Sequence, residues 1–234
     1  NSPFFFHFAK TSLPIILSTG MGTIGEIERA LQVFSYGYMH EEEDVAHFSW
    51  DKAIEAYVSL KGQQLLREKV TLLHCTTEYP APLEEVNLLA METMAKTFSL
   101  PVGYSDHTEG IAIAIAAAAL GAVVIEKHFT LDKTWPGPDH KASLEPDELR
   151  QMSRAIRQVE AALGGAVKIP GKREMINRTA ARKSLIAAGP ICKGEKFKKE
   201  NLTVKRPGNG VTPSEYWYYL GRRAEKDYMK DDLI

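Results

Sequence analysis

Short runs of apolar, often β-branched residues recur along the greater part of the chain, and each is followed by a polar loop and then by apolar residues at helical spacing. Short continuous apolar runs indicate buried strands, while an apolar position every three or four residues indicates a helix with one buried face. The pattern predicts strands over residues 14–18, 70–75, 101–105 and 122–128, a helix from residue 24, and helices over 83–98, 111–120 and 146–163. Four consecutive strand–helix units predict an α/β fold whose parallel sheet is covered by helices.

Two stretches depart from this rhythm. Residues 34–69 contain the acidic run 41–44 and several aromatic residues, and we interpret them as a surface insertion that is partly helical. Beyond residue 171 the apolar runs are short and alternate with turns rich in glycine and proline. The pattern therefore predicts a first domain over residues 1–163, a linker over 164–178, and a small second domain of short strands over 179–234.

Composition excludes several classes of protein. The 234 residues include 29 Lys and Arg against 30 Asp and Glu, a formal charge of −1, whereas nucleic-acid-binding proteins present a basic surface. The longest apolar run, residues 111–125, is interrupted by Gly121 and is shorter than the roughly 20 residues of a membrane-spanning helix. Two cysteines do not make a disulfide scaffold, so we expect a reducing, cytoplasmic compartment. The chain opens with Asn1 instead of methionine, which suggests a piece of a longer protein.

Polar residues gather at the ends of the predicted strands, where α/β barrels carry their chemistry. His107 and His128 end consecutive strands, and adjacent parallel strands lie about 5 Å apart, so both imidazoles can converge on one divalent transition metal. Separate structural roles for the two histidines are an open alternative. Asp106 and Glu126 stand close to them in the sequence and are candidates to orient the imidazoles.

Hydroxyl and carboxylate side chains form a second group of candidates. Ser18 and Ser105 end predicted strands, where hydroxyls and loop N–H groups either bind a phosphate or cap the strand. Asp139 lies in a rigid Pro-Gly-Pro-Asp loop and either binds a polyol or stabilises the turn.

Several short motifs link these candidates into one recognisable series. In chain order they are Ser18-Thr19-Gly20-Met21, His74-Cys75-Thr76 with Tyr79-Pro80, Ser105-Asp106-His107-Thr108, Glu126-Lys127-His128-Phe129-Thr130 and Gly137-Pro138-Asp139. In this order they resemble the sialic acid synthase family. The tail, from residues 181–184 to residues 205–210, resembles the C-terminal antifreeze-like (SAF) domain of that family. The resemblance covers nearly the whole chain except residues 34–69.

The resemblance implies the C-terminal half of a (β/α)8 TIM barrel followed by a SAF domain. Members of the family condense phosphoenolpyruvate with an N-acylated amino sugar, typically N-acetylmannosamine, to a nine-carbon 2-keto acid, and they need a divalent metal, Mn or Mg. By resemblance His107 and His128 hold the metal, and Glu126 joins them in the catalytic set. Ser18 and Ser105 match contacts to phosphoenolpyruvate.

The resemblance also implies residues that bind the sugar. Tyr79 and Asp139 match sugar contacts, and Arg206 matches the SAF-domain arginine that reaches the N-acyl group. Thr77 belongs to the same substrate-binding set, but it stands where sialic acid synthases often have asparagine, and this departure leaves the choice of sugar open. The family further implies a domain-swapped homodimer in which each SAF domain caps the barrel of its partner, and it implies neither a nucleic acid nor a membrane as a partner.

Two other functions fit the same residues. A synthase for legionaminate or a related nonulosonate, which condenses a 2,4-diacetamido-6-deoxy sugar, is the alternative enzyme. A sugar-binding half-barrel without catalysis is the alternative from another class. We expect the 234-residue chain to be inactive alone, because in the family the earlier strands of the barrel carry further lysine and glutamate site residues.

Overall fold

A parallel sheet of four strands organises the first of two units in the computed structural model, which describes all 234 residues. This unit spans Asn1–Gly164. Its strands are β1 (Ile15–Ser18), β2 (Val70–Cys75), β3 (Val102–Asp106) and β4 (Ile125–Lys127). Its helices are α1 (Ser2–Lys10), α2 (Ile24–Met39), α3 (Trp50–Val58), α4 (Leu60–Lys69), α5 (Ala90–Phe98), α6 (Ala112–Ala119) and α7 (Pro146–Leu163). The strands lie side by side in chain order and all pairs are parallel, so the predicted α/β half-barrel is confirmed.

Local capping positions the helices at the ends of the strands. The Thr23 hydroxyl accepts the backbone N–H of Glu26, and the Glu26 carboxylate accepts the backbone N–H of Thr23 at 2.8 Å, which starts α2. The backbone bond, and then the hydroxyl of Thr23, hold the pKa of Glu26 below its ordinary value. Pro146 begins α7, and the Glu148 carboxylate accepts the backbone N–H of Glu145 at 2.9 Å.

Burial follows the strands from the edge of the sheet to its centre. Every residue of β3 is buried, and so are Leu72 and Leu73 of β2, whereas Ile16 of β1 is exposed. The main core packs these strands against α2, α4 and α5. Residues at the carboxyl end of β3 are therefore held by a strand that is buried along its whole length. No helix in the structure combines the length and the apolar character that are needed to cross a membrane.

Residues 34–69 are not the surface insertion that the sequence pattern indicates. Helix α2 continues to Met39, and α3 and α4 follow. Phe34 and Leu66 are buried in the main core, and Tyr36 packs against Phe6 of α1. The acidic run is also tied to this core, because Glu43 accepts a hydrogen bond from the Tyr36 hydroxyl at 2.5 Å. The predicted surface position is wrong because Phe34, Tyr36 and Tyr38 of α2 are all buried, Phe34 and Tyr38 in the main core and Tyr36 against α1 and α3. The predicted helical character, in contrast, is present.

The predicted helix over residues 83–98 forms only in its second half. Leu83–Glu85 makes a single 3-10 turn, Asn87 has φ 50°, and α5 begins at Ala90. A residue in the left-handed region cannot continue a right-handed helix, so Asn87 separates the two pieces.

The second unit spans Gly165–Ile234 and has its own apolar core. It contains α8 (Lys172–Ala181), an antiparallel pair of β5 (Ser184–Ala187) and β6 (Leu202–Lys205), and the single turn α9 (Tyr216–Tyr219). Ile191, Phe197 and Tyr228 are buried against one another. The linker predicted over residues 164–178 runs into α8, and only residues 165–171 of this unit precede that helix without a helix or strand of their own.

Candidate active site at the ends of the third and fourth strands

Two imidazoles stand next to each other at the carboxyl edge of the sheet. His107 follows β3 and His128 follows β4, and the centroids of their rings are 5.5 Å apart at an interplanar angle of 78°. The two strands are paired up to Asp106 and Lys127, the residues directly before the two histidines. The parallel pairing thus produces the convergence that the sequence predicts.

Hydrogen bonds fix the orientation of the His107 ring. Its Nδ1 lies 2.8 Å from the Thr76 carbonyl oxygen. A carbonyl oxygen can accept a hydrogen bond but cannot donate one, so the N–H of the ring is assigned to Nδ1. The Nε2 atom is left as an acceptor and lies 3.0 Å from the Tyr79 hydroxyl and 3.3 Å from the Ser105 hydroxyl. The lone pair of Nε2 therefore points into the site, as it must in an imidazole that binds a metal through Nε2.

Ser105 and Glu126 extend the site along the two strands. They are register partners, and the buried Ser105 hydroxyl donates to Glu126 Oε1 at 2.6 Å. The same hydroxyl oxygen lies 3.3 Å from Nε2 of His107, so the carboxylate, the hydroxyl and the imidazole lie next to one another. Asp106 faces the other side of the sheet and pairs with Lys127, so it does not contact the imidazoles directly.

Tyr79 covers the two histidines. Its ring centroid lies 4.0 Å from that of His107 and 5.1 Å from that of His128. Burial raises the pKa of Tyr79 above its ordinary value, and the carboxylates of Asp139 and Glu126 raise it further. The hydroxyl therefore stays protonated at neutral pH and acts as a donor. Asp139 is exposed in the loop that follows β4.

The other predicted site residues lie apart from this cluster. Ser18 ends β1, two strands from β3, where it lines an open cleft of about 390 Å³ together with the start of α2. Thr77 is exposed and packs next to Gly20 in the loop after β1. Arg206 is exposed in the second unit, where its Nε donates to the Ala181 carbonyl oxygen at 3.0 Å. The structure thus brings together five of the predicted residues: Tyr79, Ser105, His107, Glu126 and His128.

Sequence reasoning missed three contributors to the site. The Thr76 backbone carbonyl orients His107, and a backbone group gives no signal in side-chain chemistry. Cys75, which is not among the candidates predicted from the sequence, places Sγ 3.7 Å from His107 Nδ1. Lys127 pairs with Asp106, and its signal was a lysine between Glu126 and His128 at the end of a predicted strand.

The donor set fits a divalent metal with open coordination positions. No group of three or more His, Cys, Asp or Glu side chains in the structure is placed to hold an ion. Two imidazoles, one already locked in the required tautomer, instead supply part of a coordination sphere and leave room for oxygen donors from a substrate or water. Binding at Nε2 of His107 requires the Tyr79 hydroxyl to give up its hydrogen bond there.

Comparison with known proteins identifies the family. Residues 1–168 match the NeuB family, and residues 182–234 match the SAF domain. The chain belongs to the NeuB family. The resemblance to sialic acid synthases and the assignment of a C-terminal SAF domain are therefore confirmed.

Relatives of this NeuB-family chain include synthases of two different acidic sugars. It is 49% identical over 234 residues to the N,N'-diacetyllegionaminic acid synthase of Campylobacter jejuni, and the match covers 100% of this chain and 62% of that protein. It is 34% identical over 236 residues to the human N-acetylneuraminate-9-phosphate synthase, covering 100% of this chain and 58% of that protein. The chain spans about three fifths of the length of these curated relatives.

A solved structure supports the fold. The crystal structure of spore coat polysaccharide biosynthesis protein spsE from Bacillus subtilis matches this NeuB-family chain with a TM-score of 0.54 at 31% identity. The match covers 100% of this chain and 63% of that chain. Both units of this chain thus match parts of one longer solved chain.

Proposed function

We propose that this chain is part of a metal-dependent nonulosonate synthase that condenses phosphoenolpyruvate with an N-acylated amino sugar. The observation that carries the proposal is the cluster of His107, His128, Tyr79, Ser105 and Glu126 at one edge of the sheet, in a chain of the NeuB family. A metal at the two imidazoles, Mn or Mg, would supply Lewis acidity toward the aldehyde oxygen of the sugar.

The overall reaction balances with water as the third reactant. C3 of phosphoenolpyruvate forms a bond to the aldehyde carbon, and the aldehyde oxygen takes up a proton. Water adds to C2, and the bond between C2 and the phosphate oxygen breaks, which leaves a 2-keto acid and inorganic phosphate. Charge builds up on oxygen atoms at each stage, so a site with polar groups already in place lowers the barrier.

The residues of this chain have distinct roles in that reaction. His107 and His128 hold the metal, and the Thr76 carbonyl keeps His107 in the tautomer that binds it. Ser105 donates to Glu126, so its hydroxyl oxygen is free to accept, and the Glu126 carboxylate is the proposed base for the attacking water. Tyr79 is a hydroxyl donor beside the imidazoles and, with Asp139, contacts the sugar. Ser18, from the cleft next to α2, contacts phosphoenolpyruvate.

The comparisons favour one sugar over the other. The chain is 49% identical to a legionaminic acid synthase and 34% identical to an N-acetylneuraminate-9-phosphate synthase. Thr77 stands where sialic acid synthases often have asparagine. We therefore favour a 2,4-diacetamido-6-deoxy sugar over N-acetylmannosamine as the acceptor, which reverses the order expected from the motifs alone.

Phosphate release by the purified full-length protein tests this proposal. The assay supplies phosphoenolpyruvate, MnCl₂ and either of the two amino sugars, and compares the wild type with His107→Ala. We expect turnover with the diacetamido sugar that exceeds turnover with N-acetylmannosamine, and no turnover in the variant. Binding of either sugar without phosphate release would favour the sugar-binding remnant, and faster turnover of N-acetylmannosamine would reverse the choice of sugar.

Arg206 gives the proposal its second part. We propose that the exposed guanidinium, anchored through Nε to Ala181, donates to the N-acyl group of a sugar in the barrel of a partner chain. Arg206→Ala should then raise KM for the sugar and leave KM for phosphoenolpyruvate unchanged. Mixed dimers of Arg206→Ala and His107→Ala chains should recover part of the activity. No recovery, despite demonstrated subunit exchange, would rule out the shared site.

A further inference from the structure

A buried ion pair lies directly behind the two histidines. Lys127 Nζ is 2.9 Å from Asp106 Oδ2, and the side chains are 3% and 0% exposed. These residues are register partners at the last paired position of β3 and β4. Side chains alternate between the two faces of a sheet, so the pair occupies the helix-facing side while its neighbours Ser105 and His107 face the site.

The ion pair is closed into a ring by one further residue. Asp106 Oδ1 accepts the Thr108 N–H at 2.9 Å and the Thr108 hydroxyl at 2.8 Å, while Lys127 Nζ donates to the Thr108 carbonyl oxygen. The Asp106 carboxylate thus makes an Asx turn with Thr108, and His107 is the residue between them. Both oxygens of Asp106 have partners, so the buried charge is compensated within the protein.

Stability alone does not account for this arrangement. A buried ion pair often contributes no more to the stability of the fold than well-packed apolar side chains of the same volume, because both charges must be removed from water. Position offers a better reason. Strand β4 has only three residues, and its ladder to β3 ends at the ion pair. Beyond that point no strand pairing holds His107 at a set distance from His128, whereas the ring of Asp106, Lys127 and Thr108 connects both strand ends.

We propose that Asp106 and Lys127 are positioning residues that set the separation and orientation of the His107 and His128 imidazoles for metal binding. This inference rests on the proposed metal-dependent function, and it adds the residues that hold the metal ligands in place. Removing the ion pair should leave a folded protein whose two imidazoles no longer bind one metal ion with high affinity.

Metal binding without substrates tests the proposal in the full-length protein. The free Mn²⁺ signal in electron paramagnetic resonance gives the affinity, and thermal unfolding without metal shows whether the fold is kept. The main variant is Asp106→Val with Lys127→Met, which removes both charges together and leaves neither buried alone. We expect Mn²⁺ affinity to fall about tenfold or more while the variant remains folded, in the range found for residues that support metal ligands.

Matched variants separate position from charge and from stability. Arg157→Gln with Glu160→Gln removes an exposed ion pair of α7 and should leave Mn²⁺ affinity unchanged. Thr108→Val removes one hydrogen bond of the ring and is a second test if the main variant does not fold. A loss of about twofold to fivefold is expected there, the effect of one hydrogen bond.

The outcomes distinguish this inference from the proposed function. If wild-type protein binds no Mn²⁺, or if His107→Ala binds it as well as wild type, the metal site and the positioning pair are both wrong. If His107→Ala abolishes binding but the folded Asp106→Val, Lys127→Met variant binds like wild type, the pair does not position the ligands and the metal site stands. Unchanged affinity in Thr108→Val leads to the same conclusion if the main variant does not fold.

Discussion

Replacing Tyr79 by phenylalanine should strengthen metal binding in the absence of sugar. The Tyr79 hydroxyl donates to His107 Nε2 at 3.0 Å, and this nitrogen is the atom through which the imidazole would bind a metal. Phenylalanine keeps the ring that stacks on His107 and removes only the competing donor. One hydrogen bond contributes about 0.5–1.5 kcal/mol net, or about twofold to twelvefold in an equilibrium constant. Because Tyr79 is 43% exposed and water competes for its hydroxyl, we expect a gain of about twofold to fivefold.

Titration of Mn²⁺ into the full-length protein, with free Mn²⁺ followed by electron paramagnetic resonance, measures this effect. Tyr218→Phe, in the second unit, is the control and should change nothing. Burial and nearby negative charge raise the pKa of Tyr79, so the hydroxyl is protonated from about pH 7 to 9 and the gain should be equal across that range. Weaker binding by Tyr79→Phe would refute the reasoning, because the hydroxyl would then support the metal site instead of competing with it.

Three further predictions concern stability. Gly103→Ala should destabilise the first unit by about 1–3 kcal/mol in calorimetry, because its Cβ would lie 2.5 Å from the Val124 carbonyl oxygen; an unchanged Tm would contradict the packing. Leu72→Ala should lower the free energy of unfolding in urea by about 2–5 kcal/mol, since Leu72 is fully buried. Lys133 lowers the pKa of Glu148, so at mildly acidic pH the unfolded chain binds more protons at this carboxyl than the folded chain does. The interaction therefore stabilises the fold above the unfolded pKa near 4.5, and this stabilisation is lost as the pH falls through the folded pKa. Glu148→Gln should therefore flatten the acid side of the Tm–pH curve, by less than about 1 kcal/mol because the pair is partly exposed.

The central strands and the last barrel helix could be predicted from the sequence because their signals are local. A continuous apolar run gives β2 as Val70–Cys75, and a proline followed by a regular apolar stripe gives α7 as Pro146–Leu163. The convergence of His107 and His128 also follows from the sequence, because consecutive parallel strands place their carboxyl ends side by side.

The contributions that depend on tertiary packing could not be predicted in this way. Whether Tyr36 faces the core or the solvent depends on α1, which covers it through Phe6. The Thr76 carbonyl orients His107 only because the loop after β2 brings it there, and main-chain atoms are the same in every residue. The pairing of Lys127 with Asp106 depends on the register of β3 and β4. A shift of β4 by one residue would place the lysine on the other face of the sheet, and the sequence alone does not determine this register.

Close packing between Gly20 and Thr77 links two loops that belong to different strands. A Cβ at position 20 would collide with the Thr77 hydroxyl oxygen, so the loop after β1 leaves the space that the side chain after β2 fills. Substitutions at the two positions are therefore not independent. A library that varies residue 77, a proposed sugar contact, can explore larger side chains only while residue 20 remains glycine. Redesign of substrate choice in this protein thus begins with a constraint that lies on the neighbouring strand.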